Sequence, residues 1–160
     1  MIAGGVGPAE FDRIEDRHLA DSIIFAGAWA SPPSHCWDLG SGVGLPGLVL
    51  AILWPESRIR LIDRSSKRID LARRAARVIG VNVDTDVAPI EVLGGAAEAV
   101  VSRAAIPAGE LLSHLRRIVA PGGRAVVSGS GTGFVPEGFE ELKVPAGILD
   151  HAPRLLMMRS

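Results

Sequence analysis

The stretch that decides the fold is Asp38-Leu39-Gly40-Ser41-Gly42-Val43-Gly44-Leu45-Pro46-Gly47. A short apolar run, His35 to Leu39, leads into it. Leu48 to Trp54 leaves it as a helix stopped by Pro55. Strand, glycine turn and helix in that order form a cradle for an acidic or nucleotide-like ligand. Residues without side chains let the backbone approach a ligand closely. The helix start that follows offers free N–H groups to a carboxylate or phosphate. In open α/β sheets ligands sit at the carboxyl ends of the strands, where this turn lies.

Downstream, Arg58 to Asp63 alternates as Arg-Ile-Arg-Leu-Ile-Asp, a second strand. Ser65 or Ser66 can cap the next helix, which runs to about Ile79 and is ended by Gly80. Ile69, Ala72, Ala76 and Ile79 form its buried stripe, with Lys67, Arg68, Arg74 and Arg77 on the other side. Val81 to Val87 is a third strand and Ala99 to Ser102 a fourth. Glu110 to Val119 is a helix, Pro121-Gly122-Gly123 a turn, and Arg124 to Ser128 a fifth strand. Upstream, Phe11 to about Ala28 is helical and is broken by Ser31-Pro32-Pro33-Ser34. Residues 1–9 hold three Gly and one Pro and read as a frayed start. After the Gly129 to Gly133 loop the pattern changes. Phe139 to Val144 and Leu155 to Arg159 read as strands that pair as a hairpin on the sheet edge. There is no internal repeat. Alternating strands and helices predict one doubly wound, mostly parallel, Rossmann-like α/β sheet with a C-terminal antiparallel hairpin. The expected organisation is a single domain over 1–160: an N-terminal helical segment at 1–30, a ligand-binding core at 35–128, and edge strands at 134–160.

Composition narrows the class. With 160 residues and 48% hydrophobic content the chain can bury a proper core. The net charge of −1 excludes a general polycation, so nucleic-acid binding would need a local patch. Eight of the seventeen basic residues lie between Arg58 and Arg77, which is either such a patch or a solvated helix face. The one cysteine, Cys36, can form no internal disulfide and is too little for a zinc cluster, so no metal is expected. The start Met-Ile-Ala-Gly-Gly carries no basic, apolar leader, and no stretch spans a membrane. A cytoplasmic protein is the simple reading.

The glycine turn admits two cofactors. Gly42, Gly44 and Gly47 fit the dinucleotide pattern G-x-G-x-x-G, and Asp63 would hold ribose hydroxyls in either case. Asp38 at the end of the first strand, giving Asp-x-Gly-x-Gly-x-Gly, and the C-terminal hairpin favour S-adenosylmethionine. A ligand-free turn is the third reading. Arg103 either binds cofactor or substrate phosphate, or closes a salt bridge at a strand end. His18 either orients Asp38 or the substrate loop, or is a satisfied helix histidine.

Several blocks together resemble one family. Asp38 to Gly47 resembles the signature of the 16S ribosomal RNA guanine-N7 methyltransferases, also called the glucose-inhibited division protein B family. Leu45-Pro46-Gly47 is characteristic of that family. Arg17-His18-Leu19 with Asp21-Ser22 resembles its Arg-His-x-x-Asp-Ser block. Leu61-Ile62-Asp63 with Lys67-Arg68 resembles its second strand and helix start, and Val101-Ser102-Arg103-Ala104 its Val-Ser-Arg-Ala block. The likeness runs over roughly residues 11–128 in one order.

The resemblance implies an S-adenosylmethionine-dependent methyltransferase acting on guanine N7 of small-subunit ribosomal RNA or the 30S subunit, and a monomer is expected. It implies cofactor contacts at Gly40, Leu45, Asp63, Ile90, Glu91 and Arg103, where Ile90-Glu91 stands for the family's Ala-Glu. The turn and strand ends add Asp38, Ser41, Gly42, Gly44 and Arg64 to the candidate set. Lys67, Arg68, Arg74 and Arg77 are the candidate RNA contacts, and Arg103 the candidate positioning residue. N7 carries an in-plane lone pair and no proton, so no general base is expected and proximity carries the reaction. Other chemistries fit less well. Cytosine C5 methylation needs a nucleophilic Cys, and Cys36 reads as a small core residue. Exocyclic-amine enzymes carry an Asn/Asp-Pro-Pro-Tyr/Phe block where this chain has Ser102-Arg103-Ala104-Ala105.

There are departures too. The family's further N-terminal helical segment is not seen here, and the C-terminal region is short. Its Arg before Ala-Glu is Pro89, and its Leu-Lys-Gly is Ser128-Gly129-Ser130. They keep one alternative open, a non-catalytic RNA- or cofactor-binding protein of the same fold, and the dinucleotide register of the glycines keeps a second, an NAD-binding oxidoreductase.

Overall fold

The computed structural model describes residues 18–103, 106–129, 133–145 and 153–160. The expected helical residues 11–17, the family-like Arg17 and Ala104, and part of the glycine loop lie outside these. The elements in order are α1 (Ala20–Ala26), β1 (His35–Leu39), α2 (Gly47–Leu53), β2 (Arg58–Asp63), α3 (Ser66–Ile79) and β3 (Asp84–Val87). A short 3-10 helix, Ile90–Val92, precedes β4 (Ala97–Ser102), α4 (Ala108–Ile118), β5 (Val119–Ser128), β6 (Glu140–Leu142) and β7 (Leu155–Arg159).

The strands form one seven-stranded sheet in the order β3-β2-β1-β4-β5-β7-β6. The first five run parallel, and β7 is antiparallel to both β5 and β6. The predicted hairpin is therefore present, with β7 against the sheet and β6 at its edge. The order reverses between β1 and β4, which makes the switch point where ligands of such sheets collect. Cys36, Ile59, Leu61, Ala99 and Val101 face α1, α2 and α3. Leu39, Ile62, Val100 and Val127 face α4, which buries Leu111, Leu115 and Ile118 against them. Cys36 is fully buried, and burial pushes its thiol well above the usual range, so it is an inert core residue.

Three expectations are corrected. β3 begins at Asp84, not Val81. Gly80 takes a left-handed conformation, and both its N–H and that of Val81 donate to the Ala76 carbonyl, at 2.9 and 3.0 Å. The Val81 amide thus serves to end the helix. Ile79, placed in the buried stripe, is 46% exposed. Val81 and Val83 pack against the core beyond the helix end instead. Pro121-Gly122-Gly123 is a bulge inside β5 rather than a separate turn: pairing jumps from Ala97↔Val119 to Ala99↔Arg124. The backbone of Ser160 pairs with Gly122 and Gly123 there, at 3.3 and 3.1 Å.

The glycine turn shows why its residues are small. Gly42 has φ +57, a left-handed conformation that other residues adopt at a cost. Gly47 is constrained by space. A Cβ there would lie 2.3 Å from Leu61 Cδ2 and 2.7 Å from Asp38 Oδ2. Gly47→Ala should therefore cost about 1–3 kcal/mol through overpacking. The check is a denaturant unfolding curve, and an unchanged midpoint would contradict the close contact.

Candidate functional site

The turn is held by main chain from the neighbouring strand. The N–H groups of Gly40 and Ser41 donate to the Ile62 carbonyl at 2.9 and 3.0 Å. Gly42 N–H donates to Asp63 Oδ2 at 3.0 Å, and Ser65 N–H to Asp63 Oδ1 at 2.8 Å. Asp63 is buried at the end of β2 with its carboxylate fixed by these two amides. Each oxygen keeps a further acceptor lone pair. Ser65 also caps α3, accepting from Arg68 N–H at 3.4 Å.

Asp38 lies one turn deeper. Its Oδ2 accepts the N–H of Gly47, the first residue of α2, at 2.7 Å. Asp38 is fully buried, and among the described residues Oδ1 has no hydrogen-bond partner. Burial raises its pKa to about 7. The Gly47 amide and the Arg103 charge oppose that rise, and the Asp63 charge adds to it.

The opposite wall comes from the 3-10 helix. Arg117, on α4, donates through Nε to the Leu93 carbonyl at 2.9 Å. Its Nη2 donates to the carbonyls of Ile90 and Glu91, at 3.2 and 2.8 Å. One guanidinium thus clamps the turn that presents Ile90 and Glu91. Nothing in the sequence marks Arg117 for that role, because a cation in a helix's last turn reads as ordinary complement to the helix dipole. The third wall is Arg103, at the end of β4, whose Nη1 donates to the His18 carbonyl at 3.2 Å. His18 meets Arg103 through its backbone.

Between these walls lies a cavity of 390 Å³, within the ~300–1,000 Å³ usual for ligand pockets. Of the predicted site residues it brings together Gly40, Ser41, Gly42, Leu45, Asp63, Arg64, Ile90, Glu91 and Arg103. Two predicted residues are not at its wall: Asp38, and Gly44, which backs onto Leu48 and Ala72. Five residues outside the predicted set also line it, namely Val43, Ile62, Ala88, Pro89 and Ile106. The register of β2 and β3 at their carboxyl ends is the signal that points to Ile62 and Ala88. Arg68, predicted on the RNA side, also reaches the cavity rim, 3.9 Å from Asp63 Oδ2.

The basic cluster divides. Arg58 pairs with Asp84 at 2.6 Å, Arg60 with Asp86, and Arg73 with Asp70 at 2.7 Å. Arg60 also lies over the Trp37 ring, 4.5 Å from its centroid. Lys67, Arg74 and Arg77 are exposed on α3 and, among the described residues, have no acidic partner. Among the described residues no group of metal-ligating side chains gathers, and no helix is long and apolar enough to cross a membrane.

The sheet order and a pocket at its switch point are those of the class I, Rossmann-like methyltransferase fold. Magnesium protoporphyrin IX methyltransferase from Synechocystis PCC 6803, solved with bound S-adenosylmethionine, superimposes with a TM-score of 0.64. The match covers 89% of this chain and 76% of that one at 19% identity. The chain belongs to the rRNA small subunit methyltransferase G family, whose pattern matches residues 4–132. The ribosomal RNA small subunit methyltransferase G of Acidothermus cellulolyticus is 33% identical over 121 residues, 75% of this chain and 54% of that protein. The protein of the same name from Halorhodospira halophila is 36% identical over 121 residues, 71% of this chain and 54% of that one. The chain thus spans about half the length of the curated relatives it matches.

The Asp38 shift has a sign that can be measured. Its native pKa of about 7 lies above the ordinary 3.8, so the folded state holds a proton that the unfolded state has released. That contribution is full below about 3.8 and is lost as pH rises through about 7. Asp38→Asn should therefore gain in melting temperature relative to the parent as pH rises across that window. A pH-independent difference would show that Asp38 is charged throughout.

Proposed function

We propose that this chain is an S-adenosylmethionine-dependent methyltransferase acting on N7 of a guanine in small-subunit ribosomal RNA. The carrying observation is the cavity at the switch point, lined by the glycine turn, Asp63, Ile90-Glu91 and Arg103. Family membership supports the substrate class, and the fold supports the cofactor class. The antiparallel β7 between β5 and β6 argues for this fold over a dinucleotide oxidoreductase. A monomer acting in the cytoplasm, where the 30S subunit is found, is part of the same reading.

The donor set fits the cofactor. Asp63 has acceptor capacity left for hydroxyl groups after its two backbone bonds. Ile62, Leu45, Ile90 and Ile106 offer apolar walls that exclude water around a ring. Glu91 supplies a polar contact, Arg64 and Arg68 stand at the Asp63 rim, and Arg103 is the cation able to hold a carboxylate or an RNA phosphate. Asp38 and Gly44 serve from behind, by shaping the turn. When bound, S-adenosylmethionine supplies an electrophilic methyl group on a sulfonium. This chain's residues need only hold the guanine edge in line and abstract no proton, because N7 has none. The glutamate at the cavity also favours the cationic product ring.

Calorimetry with S-adenosylmethionine and labelled-methyl transfer to undermethylated 30S subunits test the proposal. Binding with transfer supports it. Binding without transfer to any RNA points to a non-catalytic relative, and NAD binding in its place overturns the cofactor. Asp63→Ala should weaken cofactor binding about 10- to 100-fold, the scale of one charged hydrogen bond, and Arg103→Ala should abolish turnover. Replacing Lys67, Arg74 and Arg77 by Ala should weaken RNA binding and flatten its salt dependence by about 0.7 for each phosphate no longer neutralised. An unaltered salt slope would make that helix face merely solvated.

A further inference from the structure

Among the described aromatic residues only Phe134 is exposed, at 68%. Phe25 and Trp54 are buried, Trp29 packs edge-on against Trp54, Trp37 lies under Arg60, and Phe139 packs into the α4-side core. A single exposed apolar side chain is common. What distinguishes Phe134 is how its backbone is held, and where.

Arg154 precedes β7 and reaches back across the sheet end. Its Nη1 donates to the Phe134 carbonyl at 3.0 Å, and its Nη2 to the Gly133 carbonyl at 2.9 Å. The same guanidinium is anchored on both Glu141 oxygens, at 2.7 and 3.1 Å. The Arg154 carbonyl accepts from Gly129, the residue that follows β5, at 2.8 Å. This ties Phe134 to the carboxyl end of β5. The residues that follow run down α4. Pro136 Cβ lies 3.7 Å from where a Cβ on Gly109 would stand, in the first turn of α4, and Gly138 lies against Leu112. Phe134 therefore stands at the carboxyl ends of the strands, the end of the sheet where Arg103, after β4, and Ile106, before α4, line the cavity.

We infer that Phe134 is a stacking platform for an unpaired base of the RNA substrate, at the same end of the sheet as the methyl-transfer cavity. The inference rests on the proposed RNA reading. A base must leave its stack to present an edge to a buried reagent, and an aromatic face offers it a replacement surface. The clamp limits the backbone freedom that stacking would otherwise have to remove. A lone phenyl ring recognises the face of a base, not its hydrogen-bonding edge, so it selects single-stranded RNA without selecting sequence.

The test uses the full chain, a labelled single-stranded guanine-containing RNA oligonucleotide, and the variants Phe134→Ala, Phe134→Leu and Phe134→Trp. Ala and Leu should weaken RNA binding about 5- to 150-fold, the range for one stacked base, and Trp should retain it. S-adenosylmethionine affinity and melting temperature should be unchanged in all three. Leu binding as well as the parent would reduce the contact to apolar burial and overturn the inference, as would RNA binding indifferent to Ala. Methyl transfer by the parent with no loss in Phe134→Ala overturns the platform alone. RNA binding that depends on Phe134 without transfer overturns the enzymatic reading alone, and absence of RNA binding overturns both.

Discussion

The hydrogen bond from Gly47 N–H to Asp38 Oδ2 joins the end of β1 to the start of α2 across the glycine turn. Pro46, at the position where a helix usually finds its capping side chain, supplies none. Asp38 takes that duty from the preceding strand, satisfying an amide that α2 cannot pair internally. The bond must form in the core, because Asp38 is fully buried. Burying a carboxylate is unfavourable unless partners compensate for it. Here the compensation is partial, since one oxygen is bonded and the other is not, and the group consequently titrates near neutrality.

That bond accounts for residues on both sides of it. Gly47 must lack a side chain because Asp38 and Leu61 occupy the space a Cβ would need. Gly44 must be small because Leu48 and Ala72 close over it. With α2 pinned at its start, the loop between has a fixed span to cross, and Gly40, Ser41 and Gly42 settle against Ile62 and Asp63 of β2. The turn's glycines therefore divide by cause. Gly44 and Gly47 serve helix packing, whereas Gly40 and Gly42 form the ligand-side wall. The dinucleotide pattern and the Asp-x-Gly-x-Gly-x-Gly pattern overlap in these letters, but only the sheet around them separates the two folds.

Legibility in the sequence follows from range. β2, α3 and β7 carry strong local signals, an alternation, a capped amphipathic stripe and a short apolar run, and their predicted limits agree with the structure to within a residue. β3 and the β5 bulge escape a local reading because their limits depend on distant partners: the Ala76 carbonyl that holds Val81, and the Ser160 backbone that holds Gly122 and Gly123. At the site, the glycine turn and Asp63 are readable because a tight turn leaves a composition mark. Arg117 is not, since nothing near it in sequence indicates that Ile90, Glu91 and Leu93 will offer it three carbonyls. Asp38 reads in the sequence as a ligand contact, whereas in the structure it stands behind the cavity wall and caps α2.

The basic cluster shows the same limit most sharply. Arg58 and Arg60 stand two apart on β2, so they project from one face of the sheet. On β3, Asp84 and Asp86 share that spacing, and the parallel register sets Arg60 beside Asp84. Each arginine then meets an aspartate of the neighbouring strand. A parallel sheet usually hides both faces under helices, and here α4 covers the β4–β5 side while this charged ladder occupies the β2–β3 side. Counting cations along the chain assigns these residues to a patch, yet their charge is satisfied within the sheet. What remains without an acidic partner, among the described residues of the cluster, is Arg64 before α3 and Lys67, Arg74 and Arg77 on α3, the helix whose start fixes Asp63 through Ser65. A phosphate backbone drawn to α3 would therefore engage the element that positions the cavity's central carboxylate, which couples any RNA contact there to the geometry of the pocket.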